Sequence, residues 1–219
     1  MSQAKNISKR SYKKEDNNDF CKENGFADLT LNVENHRIHV SKTVLCIASP
    51  WFRAMLEKSQ SEMSLPDKSY KHFVEFLRCI YPDMMKKVTE KNVYMLLPLA
   101  HEYNVGKMMK RCEKMLKHIV KNRYTRNVEE LYRHIHLSEL YSLEELKEIC
   151  INLASDHTLK QFKAARTAYQ ISDESHFKII EFALRRHELD KTDEKNFEVH
   201  KNKEYMVKVY TDSENELDD

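Results

Sequence analysis

The side chains that could hold a metal or act as nucleophiles are present in this sequence, but not in the groupings such chemistry needs. The five cysteines, Cys21, Cys46, Cys79, Cys112 and Cys150, stand at least 25 residues apart, whereas zinc and dithiol sites draw two ligands from one short turn. Several sit inside apolar runs, where a reduced thiol packs as a small hydrophobe, so a reducing compartment is expected. His134 and His136 are two apart on a predicted helix and point in different directions; a metal pair there needs i,i+4 spacing. His36 and His39 flank a predicted strand and face opposite sides. All four read as ordinary surface histidines. No serine or cysteine has the neighbours of a nucleophile, and no carboxylate pair is marked out for acid–base work. Gly25 and Gly106 are the only glycines, which argues against a loop that brings its amides up to a phosphate. The expectation is a non-enzymatic protein with no catalytic residue, no metal, no cofactor and no small-molecule substrate.

The charge totals narrow the partners. Lysine plus arginine number 37 against 35 aspartate plus glutamate, a formal net charge of +2. Such a balance gives no reason to expect a nucleic-acid partner, which calls for a concentrated basic face. No run of 18 apolar residues occurs, so no membrane span is expected. The stretch Met1–Asp16 is polar and lysine-rich and lacks the apolar core of a secretory signal. An intracellular location, cytoplasmic or nuclear, follows as the expectation.

The elements that would position these groups are mostly helical. Leu29, Leu31 and Val33 alternate with Thr30 and Asn32, and Glu34-Asn35 supplies a turn before Arg37–Val40, which predicts a hairpin. Ser41 is placed to cap a helix from Lys42 whose residues Thr43–Ala48 are apolar on nearly every side, so that helix is expected to be buried. Ser49-Pro50 restarts the chain as N-cap and first helical residue, with Trp51, Phe52, Met55 and Leu56 facing inward. Met63–Leu65 reads as a third short strand, and Asp67 or Ser69 opens a helix carrying Phe73, Val74, Leu77, Ile80 and Tyr81 on one face. Thr89 opens the next, with Val93, Leu96, Leu97 and Ala100 inward; Pro98 inside it predicts a kink or two pieces. Asn104–Gly106 breaks the chain before an amphipathic helix through Met108, Cys112, Met115 and Ile119. Residues 125–187 read as helical throughout, with apolar sets Val128/Leu131/Ile135, Leu143/Leu146/Ile149/Cys150/Leu153 and Phe177/Ile180/Ala183/Leu184. Residues 1–18 are expected to be disordered. Phe197, Val199, Tyr205, Val207 and Val209 hint at a weak strand pair ahead of a solvated acidic tail from Asp212.

The order hairpin, helix pair, short strand, helices resembles the BTB/POZ family, and individual residues carry the likeness. Ala27–Val33 resembles that family's opening strand with its aspartate. Lys42–Leu45 followed by Ala48–Met55 resembles its signature helix pair, and Leu77–Pro82 the end of its third helix. Val93–Leu116 is similar to its closing helical hairpin, including the proline at Pro98. Val40–Lys42 with Tyr81-Pro82 looks most like the BTB domain of the MATH-BTB proteins expanded in nematodes, here expected without a MATH domain. Residues 125–187 are similar to the BACK or three-box extension of adaptor members.

The resemblance implies an α+β protein, a short three-stranded sheet capped by helices, followed by an all-helical extension. It implies a BTB/POZ domain at 19–121 after the polar 1–18, a BACK-like extension at 122–189, and a weakly structured acidic segment at 190–219. It further implies a protein-interaction module: an adaptor that recruits proteins to a cullin-3-type ubiquitin ligase, or else a scaffold that self-associates or binds other partners. In adaptor members an apolar-x-Glu element inserts at cullin-3, a pattern matched by Met55-Leu56-Glu57, with Glu62, Tyr81 and Pro82 beside it. The alternative reading of Met55 and Leu56 is that both are core. The loop Lys58–Glu62 is short beside those of adaptors. Asp28 and Lys42 match positions that form a charged pocket for partner peptides in some members, or else a structural ion pair. The family's dimerising first helix is reduced to about Asp19–Asn24, so a weak homodimer is expected.

Overall fold

A computed structural model describes residues 20, 25–56, 60–123 and 127–186. They fall into two compact units, one drawn from Met1–Val88 and Met95–Met109, the other from Thr89–Tyr94 and Lys110–Asp219. The expected polar N-terminus, the reduced first helix apart from Phe20, the weak C-terminal strand pair and the acidic tail lie outside the described residues.

In the first unit the predicted hairpin is present. Strand β1 (Leu29–Val33) pairs antiparallel with β2 (His36–Val40), Leu31 opposite Ile38. The period of two puts Leu29, Leu31 and Val33 in the core and leaves Thr30 and Asn32 half-buried on the other face. Glu34 and Asn35 close the turn with φ of 45° and 61°, the left-handed pair that suits the twist of a tight hairpin. A short strand β3 (Glu62–Ser64) runs parallel to β1, giving the order β2-β1-β3.

Helix α1 (Lys42–Ala48) starts where expected, but the Ser41 side chain makes no cap. The Lys42 N–H instead donates to Asp28 Oδ1 at 2.7 Å. The same substitution recurs at α3 (Tyr70–Ile80): Ser69 supplies no side-chain cap, and the Tyr70 N–H donates to Glu34 Oε2 at 2.7 Å. Both acids come from the two ends of β1, far away along the chain. Full burial of α1 does not occur. Leu45 is its buried residue while Ile47 is 72% exposed, because a seven-residue helix packed against neighbouring helices has only one inward side.

Helix α2 (Pro50–Met55) is capped as the sequence indicates: Ser49 Oγ accepts from the Phe52 N–H at 3.0 Å and donates to the Tyr103 carbonyl. Around that point the aromatic core assembles. Phe52 stacks on Tyr103 with centroids 5.0 Å apart, and Trp51, Phe73 and Phe76 meet the same ring at 5.0, 5.7 and 5.8 Å. Such pairs add stability beyond their buried area. Burial pushes the Tyr103 phenol well above its ordinary pKa. Of the inward residues expected here, Phe52 and Leu56 are buried, Trp51 is half-buried, and Met55 points out.

Helix α4 (Val93–Glu102) follows a turn in which Asn92 Oδ1 accepts from the Thr89 N–H at 2.7 Å. It runs unbroken through Pro98, so the expected division into two pieces does not occur. The proline faces solvent while Val93, Leu96, Leu97 and Ala100 are buried; packing of that face holds the helix across the missing N–H. Helix α5 (Gly106–Arg123) buries Met108, Cys112, Leu116 and Ile119.

The second unit is helical. Helix α6 (Val128–Tyr141) is capped by Asn127 and ends at Ser142 in the left-handed conformation, φ 54°. Against it pack α7 (Glu144–Ala154) and α8 (Leu159–Ala168), the latter opened by a Thr158–Gln161 capping box. Residues 173–186 are also helical. The apolar face expected there is turned outward: Phe177 is 67% exposed and Leu184 is exposed too, whereas Ser175 and Ile179 are buried. Ser172 and Ser175 both bond the Glu139 carboxylate of α6, and this polar anchor, invisible to a hydrophobic pattern, sets the rotation.

His134 is not a surface residue. It is fully buried in α6, its Nδ1 donating to the Glu130 carbonyl at 2.7 Å and its Nε2 lying 3.0 Å from the Tyr94 hydroxyl. Since a carbonyl can only accept, Nε2 is the lone-pair nitrogen that accepts from Tyr94. His136 is exposed and donates to the Gln170 carbonyl at 2.6 Å.

Candidate interaction surface

The residues singled out for partner binding lie in the first unit, at the end of α2, on β3 and at the end of α3. Met55, in the last turn of α2, is 49% exposed, and the following Leu56 is buried as the helix's C-cap. The dipeptide therefore divides into one residue outward and one rooted in the core. Glu57 lies outside the described residues. Gln60 Nε2 donates to the Met55 carbonyl at 3.2 Å. Glu62 opens the edge strand β3, exposed, with Oε1 accepting from Asn32 Nδ2 at 2.7 Å.

Tyr81 is the C-cap of α3 and is half-buried. Its hydroxyl accepts from the Ser41 N–H at 2.8 Å, and its ring meets the edge of Phe20 at 4.9 Å. Desolvation raises its phenol above the ordinary value. Ring and hydroxyl are both engaged within the unit, so Tyr81 joins the start of α1 to the end of α3. Pro82 is exposed immediately beyond it. The Met85 N–H returns to the Tyr81 carbonyl at 2.8 Å and the Lys86 N–H to the Arg78 carbonyl at 3.0 Å, making a tight turn. That turn displays Met85, 68% exposed with a left-handed φ of 38°. Sequence reasoning passed over Met85 because the adjacent pair Met84-Met85 in a polar stretch has no period to mark it.

Asp28 and Lys42 meet, but through the Asp28 side chain and the Lys42 backbone. The aspartate is exposed and acts as a helix cap. Among the described residues no three His, Cys, Asp or Glu side chains are placed to hold a metal ion, and no helix is long and apolar enough to cross a membrane. Among its described residues the first unit exposes the apolar side chains of Phe26, Ile47, Met55 and Met85, and Pro82 is exposed beyond α3. Such a surface binds by burying a few anchors with polar surroundings setting register.

Residues 17–120 match the family model described as BTB/POZ domain, and the chain carries a BTB/POZ domain, a protein–protein interaction module, followed by a helical extension. The chain is 28% identical over 130 residues to BTB and MATH domain-containing protein 36 of Caenorhabditis elegans, covering 57% of this chain and 38% of that protein. It is 27% identical over 164 residues to BTB and MATH domain-containing protein 38 of the same organism, covering 72% and 40%. It thus spans about two fifths of the length of these curated relatives. Among solved structures it is similar to the BTB domain of human gigaxonin, with 23% identity, a TM-score of 0.36 and coverage of 41% of this chain and 76% of that one. It is similar also to the BTB domain of zebrafish PATZ1, with 22% identity, a TM-score of 0.38 and coverage of 42% and 77%.

Proposed function

We propose that this chain is an adaptor that recruits proteins to a cullin-3-type ubiquitin ligase, docking through the end of α2, β3 and the turn after α3. The observation that carries the reading is Met55: it stands half-exposed at the end of α2, directly before Leu56-Glu57, in the apolar-x-Glu pattern that adaptor members of the BTB family use at this scaffold. Met55 supplies the anchor, Leu56 roots it, Glu57 and Glu62 set register, and Pro82 widens the apolar rim. Tyr81, held by the Ser41 N–H and the Phe20 ring, stands directly before Pro82. The Asp28–Lys42 locus, a helix start ringed by charge, is the second place for a partner peptide.

The test is calorimetric titration of the purified chain with the N-terminal region of cullin-3. Binding at low micromolar concentration is expected, and Met55→Ala should weaken it by roughly 1–3 kcal/mol, about 5- to 150-fold. Absence of heat from the wild-type chain at tens of micromolar would replace this reading with that of a scaffold that self-associates or binds other proteins. Sedimentation belongs beside it: a weak dimer, monomeric at low micromolar concentration, accords with the adaptor reading, and a tight nanomolar dimer with the scaffold.

A further inference from the structure

The near-neutral totals of the chain conceal a strong local imbalance. Helix α5 holds seven lysines and arginines and a single acid, Glu113. Within the second unit Lys110, Lys114, Lys117 and Lys121 follow the spacing i, i+4, i+7, i+11, which at 100° per residue confines them to an arc of about 60°. The buried Cys112, Leu116 and Ile119 lie on the opposite side. Lys110, Lys114 and Lys121 are exposed, and among the described residues Lys117 alone of the four has a carboxylate, that of Glu145. Glu113 Oε1 accepts from the Leu146 N–H at 3.3 Å, and its charge also acts on Lys117.

A solvated helix face does not need this pattern. Lysines three and four apart repel and weaken the helix, and other helices of the same unit avoid the cost. Glu144 pairs with Lys147 at 2.6 Å on α7, and Glu174 with Lys178 and Glu181 with Arg185 on the helix at 173–186. Apart from Lys117, the stripe has no carboxylate partner among the described residues, and a complement is present in the chain's own sequence. Asp212, Glu214, Glu216 and Asp218 alternate along the acidic run that ends in Asp219.

We propose that the lysine stripe of α5 is a docking face for residues 212–219 of this same chain, bound in extended form. The spacings agree. An extended chain places every second residue on one side at about 6.6 Å intervals, and the lysines rise along α5 in steps of about 4.5–6 Å. Four carboxylates over about 20 Å thus match a stripe of about 16 Å on which Lys110, Lys114 and Lys121 carry no carboxylate partner among the described residues. Residues 187–211 separate the helix at 173–186 from the acidic run in sequence, a length whose fully extended reach is about 85 Å. Tethering raises the effective concentration of the acidic segment to the millimolar range, above that of a free acidic partner at cellular concentration.

The test uses the full chain in two forms, wild type and a tail-neutral variant, Asp212→Asn/Glu214→Gln/Glu216→Gln/Asp218→Asn. The probe is a fluorescent synthetic peptide of residues 210–219, followed by anisotropy at about 50 mM and about 300 mM salt. The tail-neutral chain should bind the peptide at least tenfold more tightly than wild type, whose own tail competes, and high salt should remove the difference. Adding Lys110→Gln/Lys114→Gln/Lys121→Gln to the tail-neutral chain should abolish binding; these exposed positions accept glutamine without loss of helix, and circular dichroism checks that. Equal affinity of the wild-type and tail-neutral chains, or no binding by the tail-neutral chain, would overturn the proposal. So would tighter binding of a duplex oligonucleotide than of the peptide by the tail-neutral chain, which would assign the stripe to nucleic acid.

Discussion

Asp28 Oδ1 accepts the backbone N–H of Lys42 at 2.7 Å, while the Asp28 N–H itself donates to the Val40 carbonyl at 3.2 Å. One residue at the edge of β1 therefore fixes both the end of β2 and the first turn of α1. Asp28→Ala should cost about 1 kcal/mol of stability, the usual size of a lost N-cap, and Asp28→Asn, which keeps an acceptor oxygen, much less. Lys42→Ala should be close to neutral, since the lysine contributes its backbone. Urea midpoints of the three variants decide the matter; equal losses for Asp28→Ala and Lys42→Ala would restore the ion-pair interpretation.

Tyr81 joins α3 to the start of α1 through its hydroxyl and to Phe20 through its ring. Tyr81→Phe keeps the ring contact and orphans the Ser41 N–H, so it should lower stability by about 1 kcal/mol while leaving cullin-3 affinity within about twofold. Tyr81→Ala removes both contacts and should cost more in stability. Parallel denaturation and calorimetry separate support from contact: a large affinity loss in a stable Tyr81→Phe chain would make the hydroxyl a direct binding group.

Phe73 is fully buried and Phe177 is mostly exposed. Phe73→Ala should therefore destabilise the first unit by roughly 3–5 kcal/mol, whereas Phe177→Ser should change stability by about 0.5 kcal/mol or less. Denaturant unfolding followed by the single tryptophan, Trp51, reports the first of these directly, because Trp51 lies on the same aromatic cluster. A loss below about 1 kcal/mol for Phe73→Ala would contradict the burial.

The His134 pKa is lowered from 6.5, first by desolvation and further by the adjacent Arg133, with the Glu130 carbonyl and carboxylate opposing. The Tyr94 hydroxyl faces it from α4. In the unfolded chain this histidine takes up its proton at higher pH than in the folded one, so stability is intact above about 6.5 and declines as pH falls from there toward the folded value. His157 and His176 are shifted downward by burial as well and act in the same sense. Melting temperature should fall between about pH 7.5 and about pH 5.5. His134→Leu should lower it at the higher pH, where the histidine's two hydrogen bonds are lost, and flatten the slope. An unchanged slope in that variant would remove His134 as its source.

Much of the fold was legible because it depends on local periods. The alternation Leu29–Val33, the Glu34-Asn35 turn, the Ser49-Pro50 helix start and the core positions Phe52, Phe73, Leu77, Leu97 and Cys112 all follow from residue type and spacing. What escaped depends on partners far along the chain. Ser41 and Ser69 have the right chemistry for caps, yet carboxylates delivered by the ends of β1 take the N–H groups first. The face of 173–186 is turned by Glu139 reaching Ser172 and Ser175, and His134 is drawn inward by Tyr94, forty residues before it. Of the interaction surface, the apolar-x-Glu pattern at Met55-Leu56-Glu57 was legible, whereas the outward turn of Met55 was not, since helical spacing placed it inward; nor was the bond from the Ser41 N–H to the Tyr81 hydroxyl, which nothing in Ile80-Tyr81-Pro82 announces.

The place of Tyr103 at the centre of the aromatic cluster has a consequence for how the protein is made. Its ring touches Trp51, Phe52, Phe73 and Phe76, and its carbonyl receives the Ser49 hydroxyl from 54 residues upstream. Translation delivers those four rings first and the one that joins them last. Until the ribosome has released Tyr103, the nascent chain carries a half-built core of aromatic side chains, the kind of transient surface that chaperones bind and aggregates grow from. Completion of this cluster therefore waits for Tyr103 to leave the ribosome.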